Sequence, residues 1–341
     1  MSPLSVAVLG AWHVHTGDYA RSALDHPGTR LVALWERDPA LGRPAAEQFG
    51  LEHTDDLDAL LARDDVDAVT VTTETTAHTE VIGRAIAAGK HVFTEKLLAP
   101  TVPECEALVE QAAAAGVALV VSLPRLSHGY ALAVRDLVDR GELGRVTYAR
   151  VRLSHDGAVH RAPAGEEGGW LPARFFDPVR AVGGALTDLG CHPVYLTQLF
   201  LGDRPQEVAA VYRSVTGRAV EDHAVVTLGY ADQSVGVVEA GFVSEDPFTV
   251  DVHGTEASVH WTQDGSRLTL RRGGRVEDLP VPDDLPGPFA QWVQHVADGT
   301  RATENLHRAV ELTRLVVAAN AAAATGTTTP TPSPSPDDEE S

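Results

Sequence analysis

The sequence predicts an α/β chain: a doubly wound parallel sheet followed by an α+β domain with a largely antiparallel open sheet. Three observations predict it. Short apolar runs alternate with amphipathic stretches through the first third of the chain. Near residue 123 that alternation gives way to successive strand-like runs separated by Gly and Asp. Finally, 341 residues, 43% apolar and 22% charged, supply the cores of about two domains.

In the first domain, expected over residues 1–123, the runs at 4–10, 31–36, 67–72, 91–95 and 117–122 read as strands. They are continuously apolar, as strands covered on both faces are. Helical patterns at 17–25, 39–49, 56–62, 76–88 and 102–115 lie between them, and right-handed crossovers wind such a chain around a parallel sheet. The second domain is expected over 124–325. It opens with a helix at 130–140, stopped by Gly141 and Gly144, and a strand at 145–153. A Gly- and Pro-rich stretch, 155–181, reads as a long functional loop, and a helix follows at 192–201. Strands at 207–212, 223–230, 234–242, 248–253, 258–262 and 267–272 are joined by hairpin signals. Helices at 289–298 and 304–324 close the domain. Residues 326–341 alternate Pro with Ser or Thr and then turn acidic, the composition of a disordered acidic tail.

Asp and Glu outnumber Lys and Arg by 48 to 27, a formal charge of −21. That balance argues against a general nucleic-acid partner or an anionic membrane surface, both of which need a basic face. No signal peptide is expected from residues 1–10, and no run approaches the ~18 apolar residues of a membrane span. The two cysteines, Cys105 and Cys191, form no CxxC pair, so a reducing cytoplasm is the expected location. Of the 27 basic residues only Lys90 and Lys96 are lysines, in a background otherwise converted to Arg.

Four segments carry candidate chemistry. The first is the turn after strand one, Gly10-Ala11-Trp12-His13-Val14-His15. A dinucleotide turn reads G-x-G-x-x-G at this place; here only the first glycine is present, and Trp12 and His15 stand where small residues admit a pyrophosphate. A plain strand-to-helix turn is the alternative. The second is Glu36, at the end of strand two, where an acid binds ribose hydroxyls and favours NAD; Arg37 beside it is suited to the extra phosphate of NADP. A solvated charge pair is the alternative.

The third is Gly89-Lys90-His91-Val92-Phe93-Thr94-Glu95-Lys96, which ends a strand at the carboxyl edge of the sheet. An ammonium there, its proton loosened by a nearby positive charge, can stabilise a developing alkoxide; a surface lysine at a helix start is the alternative. The fourth is the run from Gly183 to Pro193. Asp188 and His192, four apart, share a face if they occupy the first turn of a helix. The two glycines then leave room for a ligand, and a His beside a carboxylate can accept a proton. A helix cap and a core histidine are the alternative.

Together these residues resemble the Gfo/Idh/MocA oxidoreductases, the glucose–fructose oxidoreductase and inositol dehydrogenase family, from about residue 4 to 326. Thr73-Glu74-Thr75-Thr76-Ala77-His78 is similar to the family's T-P-x-x-x-H loop, with Glu74 in place of Pro. GKHVFTEK is similar to G-K-H-V-x-x-E-K-P, with Leu97 in place of the last Pro, and GGALTDLGCHP to G-G-x-x-x-D-x-G-x-H.

The resemblance implies a Rossmann domain that binds NAD, with NADP not excluded, and a catalytic trio. His192 would accept the proton, Lys96 polarise the reacting oxygen and Asp188 orient the substrate. It makes Gly10, Trp12, His13, Val14, Glu36, Arg37, Thr72, Thr73, Glu74, His78, Glu95 and Lys96 the expected cofactor-binding residues. It also implies a sugar- or cyclitol-like substrate and a homodimer or homotetramer. No metal is expected: His13 and His15 form a His-x-His in a turn, but no matching carboxylate cluster is evident in the sequence. In the long loop, His155 and His160 are read as substrate contacts or solvated residues. Trp170, Arg174 and Phe176 are read as covering a sugar face or packing on their own domain.

The expected activity is an NAD(P)-dependent dehydrogenase acting on CH–OH. A non-catalytic dinucleotide-binding sensor or scaffold, and glycosidase-type chemistry through transient oxidation, are the alternatives.

Overall fold

The computed structural model describes residues 3–159 and 169–326, and the backbone of 329–330. In chain order, the first stretch holds β1 (Leu4–Leu9), α1 (Thr16–Asp25), β2 (Thr29–Trp35), α2 (Pro39–Phe49), β3 (His53–Thr54), α3 (Leu57–Leu61), β4 (Ala68–Val71), α4 (His78–Ala87), β5 (His91–Thr94), α5 (Val102–Ala115) and β6 (Leu119–Val121). Next come α6 (Gly129–Asp139), β7 (Val146–Ser154), α7 (Cys191–Leu201), β8 (Glu207–Arg213), β9 (His223–Gly229), β10 (Val235–Gly241), β11 (Asp246–Gly254), β12 (Ala257–Thr262), β13 (Arg267–Arg272) and β14 (Arg275–Leu279). The helices α8 (Pro288–Asp298) and α9 (Thr303–Thr325) and a two-residue strand, β15 (Thr329–Pro330), complete the order. Two compact units result: Met1–Pro124 with Pro286–Thr313, and Arg125–Leu285 with Arg314–Ser341.

The first unit is the expected doubly wound sheet. All six strands are parallel, in the order β3-β2-β1-β4-β5-β6. The order reverses between β1 and β4, which opens a crevice at the carboxyl ends of those strands. Local sequence sets the helix limits. Asp38 accepts from Ala40 N at the start of α2, and Gly50 ends it at φ 65°. Thr101 accepts from Glu104 N and donates to the Glu104 carboxylate at the start of α5.

One apolar cluster joins Val8, Ala20, Leu34 and Ala46. Another joins Val6, Tyr19, Phe93 and Val120 to Phe289 and Trp292 of α8. The fully buried Trp292 keeps its indole N–H satisfied by Ala118 O, at 3.3 Å. Asn305 of α9 binds both N and O of Val121, at 2.8 and 2.9 Å, as a neighbouring strand would.

In the second unit the strand order is β14-β13-β12-β11-β7-β10-β9-β8-β15. Only β7 and β10 run parallel; the other neighbours are antiparallel. Along β9, Ala224, Val226 and Leu228 are buried while His223, Val225 and Thr227 are exposed, the alternation of a sheet covered on one face. α7 packs against β7 and β10.

The sequence reading missed β3 and β14. β3 has two residues, too few for any periodicity, and β14 is exposed along nearly its whole length, so no burial pattern marks it. Thr329 and Pro330, within the stretch read as tail, pair with Val208 and Glu207 of β8. Residues 327–328 and 331–341 lie outside the described residues, as does His160. Among the described residues, no helix is long and apolar enough to cross a membrane.

Candidate active site

Register builds the site in the first unit. Leu9 is level with Trp35 on one side and Val71 on the other, and Val71 is level with Thr94. The residues that follow, Glu36, Gly10, Thr72 and Glu95, therefore form one row along the carboxyl edge of the sheet.

The turn after β1 is stitched to that row. Gly10 adopts φ 99°, and a Cβ on it would lie 2.6 Å from Thr73 N, so only glycine fits. Gly10 N donates to Trp35 O at 2.7 Å, and His13 N to Thr72 O at 3.0 Å. The Thr72 hydroxyl donates to Gly10 O, and the Thr16 hydroxyl donates to His13 O and lies 3.1 Å from the Thr72 hydroxyl. The Trp12 and His13 side chains are buried, Val14 is exposed, and His15 is partly exposed with Nδ1 2.8 Å from Asp18. Trp12 thus packs inward, and its bulk does not stand out over the turn as its position in the motif suggested.

Glu36 is 4% exposed. Its Oε2 accepts from Ala11 N at 2.7 Å and its Oε1 from Asp38 N at 2.9 Å. Arg37, half-exposed beyond it, lies 3.9 Å from Glu74. His78 is fully buried, with Nδ1 2.7 Å from Leu97 O and Nε2 3.3 Å from Thr73 O. It braces the backbone next to Lys96 and Thr73 through main-chain carbonyls, and burial pushes its pKa below 6.5.

Lys96 is 5% exposed, which excludes the surface-lysine reading. Its N–H donates to Glu95 Oε1 at 3.1 Å, and its Nζ lies 3.7 Å from the same oxygen. Tyr19 of α1 donates to the other oxygen, Oε2, which is also 3.8 Å from His13 Nδ1. Burial pushes the Glu95 pKa up, but His13, then Lys96, His15 and Tyr19, outweigh it and hold it below its ordinary value. Lys90, by contrast, donates to Arg63 O and Val66 O and ties down the chain before β4.

The expectation that no carboxylate accompanies His13 and His15 is corrected. Glu95 joins them, with potential ligand atoms within 4.8 Å of one another. Eighty residues of sequence separate this carboxylate from the histidines, so spacing could not reveal it. Its oxygens already serve Tyr19 and the Lys96 amide, and the Lys96 ammonium supplies the positive charge a cation would bring.

In the second unit Asp188 lies in a wide π-type turn, Leu186–Gly190, and His192 in the first turn of α7 that follows. Both are partly exposed. His192 Nδ1 lies 2.8 Å from the Tyr195 hydroxyl, which accepts from Arg125 N at 3.2 Å. The two glycines before the turn do not leave room for a ligand, as their pattern suggested. A Cβ on Gly183 would meet the Thr187 hydroxyl at 2.2 Å, and one on Gly184 would meet Glu221 O at 2.0 Å.

Glu221, from the loop before β9, holds this segment. Its Oε1 accepts from Gly184 N and Leu186 N, both at 3.0 Å, and its main-chain O accepts from Ala185 N at 2.9 Å. Sequence reasoning missed Tyr19, Tyr195 and Glu221. Tyr195, three residues beyond His192 on one helix, was available from helical spacing; the other two carry no local signal.

His155 is stacked on Phe242 at 4.9 Å and tilted against Trp170, and its Nδ1 accepts from Gly157 N. Burial lowers its pKa, and the charge of Asp188 partly opposes that. Phe176 is buried under the Arg218 guanidinium, 3.8 Å from its ring, and Arg174 lies over Phe175. Trp170 remains half-exposed.

Residues 4–123 match the oxidoreductase family with the NAD-binding Rossmann fold, and residues 131–260 match the GFO/IDH/MocA C-terminal domain. A dTDP-3,4-didehydro-2,6-dideoxy-alpha-D-glucose 3-reductase from Streptomyces violaceoruber is 34% identical over 286 residues, 79% of this chain and 78% of the relative. The crystal structure of GenD2 from gentamicin A biosynthesis, in complex with NAD, has a TM-score of 0.81 at 27% identity, covering 98% of this chain and 97% of that one. KijD10, a 3-ketoreductase from Actinomadura kijaniata in complex with NADP and TDP-benzene, has a TM-score of 0.78 at 25% identity, covering 94% and 98%.

Proposed function

The chain belongs to the GFO/IDH/MocA family of NAD(P)-dependent oxidoreductases, and on that premise we propose that it oxidises or reduces one CH–OH/C=O centre of a sugar- or cyclitol-like substrate, with NAD as the preferred nucleotide. The observation that carries the reading is the level row of Glu36, Gly10, Thr72 and Glu95 at the reversal of strand order. The residues present fit a dinucleotide. Gly10 lets the backbone turn tightly beside β4, and the buried Glu36 carboxylate is held at the end of β2, where it suits ribose hydroxyls and opposes a 2′-phosphate. Nicotinamide, when bound, supplies the hydride acceptor or donor.

The chain's own residues manage the proton and the substrate. Lys96, charge-paired with Glu95, polarises the reacting oxygen and stabilises negative charge that develops on it. His192 accepts the hydroxyl proton on oxidation and returns it on reduction. The Tyr195 hydroxyl, 2.8 Å from Nδ1, positions the ring; the tautomer that gives Nδ1–H to the Tyr195 oxygen is the one that suits this role. Asp188 accepts a hydrogen bond from a second substrate hydroxyl and so orients the ring. The name of the Streptomyces violaceoruber relative, a 3-reductase of a dTDP-linked didehydro sugar, supports a sugar substrate. We further infer a reducing cytoplasmic setting, which two buried free thiols support, and a homodimer or homotetramer on family resemblance.

Calorimetric titration with NAD+, NADH, NADP+ and NADPH tests the nucleotide reading; micromolar binding of the NAD pair is expected. A panel of keto sugars and polyols, followed by absorbance of the reduced nicotinamide, then tests the chemistry. Lys96→Ala should bind nucleotide as before and lose turnover. Full turnover in that variant would remove Lys96 from the mechanism, and nucleotide binding without turnover on any compound would favour a sensor.

A further inference from the structure

Three charged side chains gather where β2 and β4 end on either side of β1. Glu36 closes β2, and both its oxygens are engaged by main-chain N–H groups, so its charge is held in place. Arg37, the next residue, reaches toward the loop after β4, where its guanidinium lies 3.9 Å from Glu74. The Arg37 side chain is 46% exposed and extends over the Trp35 ring, whereas the Glu74 side chain is only 10% exposed. One partner is therefore long and able to move; the other is sunk in the loop. Glu74 is also the residue that departs from the T-P-x-x-x-H pattern of the related loop.

An arginine just beyond the acid at the end of β2 is well suited to pair with a 2′-phosphate, because its planar fork matches phosphate oxygens. Here that arginine points to a carboxylate of the protein's own. A dinucleotide carrying the extra phosphate would have to take Arg37 from Glu74 and accept two carboxylates near its own charge. A dinucleotide without it would leave the pair intact.

We propose that Glu74 is a specificity-determining residue: it holds Arg37 away from the 2′-phosphate position and thereby disfavours NADP. The inference rests on the nicotinamide reading above. It assigns selectivity to two residues acting through each other, in addition to Glu36.

The test is fluorescence titration of NADH and NADPH into wild type, Glu74→Gln, Arg37→Ala and the double variant. Glu74→Gln should tighten NADPH binding roughly fivefold relative to NADH, the worth of an exposed ion pair. Arg37→Ala alone should hardly alter the ratio of the two affinities, and in the Glu74→Gln background it should abolish the gain. Glu74→Pro, at a φ of −61° that suits proline, serves as a second variant should the glutamine disturb the loop. No gain for NADPH in either variant, or a gain that survives removal of Arg37, would overturn the inference while NADH binding upholds the nucleotide reading. Failure of wild type and variants to bind either nucleotide would overturn both.

Discussion

The phenol of Tyr19 donates its hydrogen bond to Glu95, so a residue of α1 fixes the carboxylate that immediately precedes Lys96. The pair is 76 residues apart in sequence and buried in the first unit. Burial raises the pKa of both groups, and for Glu95 the neighbouring His13 and Lys96 more than reverse the effect.

Tyr19→Phe therefore leaves a buried carboxylate one donor short, at a cost of about 1–3 kcal/mol. Because the folded pKa of Glu95 lies below its ordinary 4.5, the stability it confers is complete above 4.5 and is lost as pH falls through the lower folded value. Without Tyr19 that folded value rises, so acid unfolding should begin at higher pH. Melts across the acid range measure it, and coincident acid midpoints for both proteins would refute the role assigned to Tyr19.

His78 has the opposite charge type with the same pH direction. Burial holds its pKa below 6.5, so the folded chain resists a proton that the unfolded chain takes up. Stability should be constant above 6.5 and decline as pH falls from 6.5 to the folded value. His78→Gln should flatten that decline. Urea unfolding on either side of 6.5, for both proteins, gives the comparison; equal slopes would mean His78 is not the group responsible.

Two left-handed glycines separate backbone strain from steric conflict. Gly89 has φ 72° and open space, with nothing within 4 Å of where a Cβ would stand, whereas Gly10 has φ 99° with Thr73 N at 2.6 Å from that point. Gly89→Ala should lose about 1 kcal/mol, the backbone contribution alone. Gly10→Ala should lose more and also weaken NADH binding, because Thr73 and the turn must shift. Equal thermal shifts in the two variants would count against the close approach at Gly10.

Glu221→Ala removes both acceptor oxygens that serve Gly184 N and Leu186 N, and should cost about 1–3 kcal/mol. The Cys191 thiol, buried and donating to Asp188 O, reports on the same turn. Its reaction with an aromatic disulfide should accelerate in the variant, while Cys105, in the first unit, stays protected. Protection of Cys191 in the variant equal to that in wild type would show that Glu221 does not hold the turn closed.

Much of the fold was legible because it is written in neighbouring residues. The apolar runs of β1, β4 and β5 and the stop at Gly141 just beyond α6 follow from local periodicity and backbone preference. The ends of β1, β2 and β5 were also legible as places for chemistry, which is why Gly10, Glu36 and the run through Glu95 were singled out, whereas Thr72 came only with the family resemblance. β14 was not, since an exposed edge strand carries no burial pattern.

The sequence by itself determined the two kinds of sheet and the family, and singled out Lys96, Asp188 and His192 as candidates, because short-range patterns and contiguous motifs encode them. Only the tertiary structure decided which groups act on which: Tyr19 and His13 on Glu95, Glu74 on Arg37, Glu221 on Gly184. Those pairings depend on strand register and on crossovers that bring distant residues within a few ångströms. A charge or hydrogen bond is felt at that range whatever the separation along the chain, so spacing in the sequence could not foretell them.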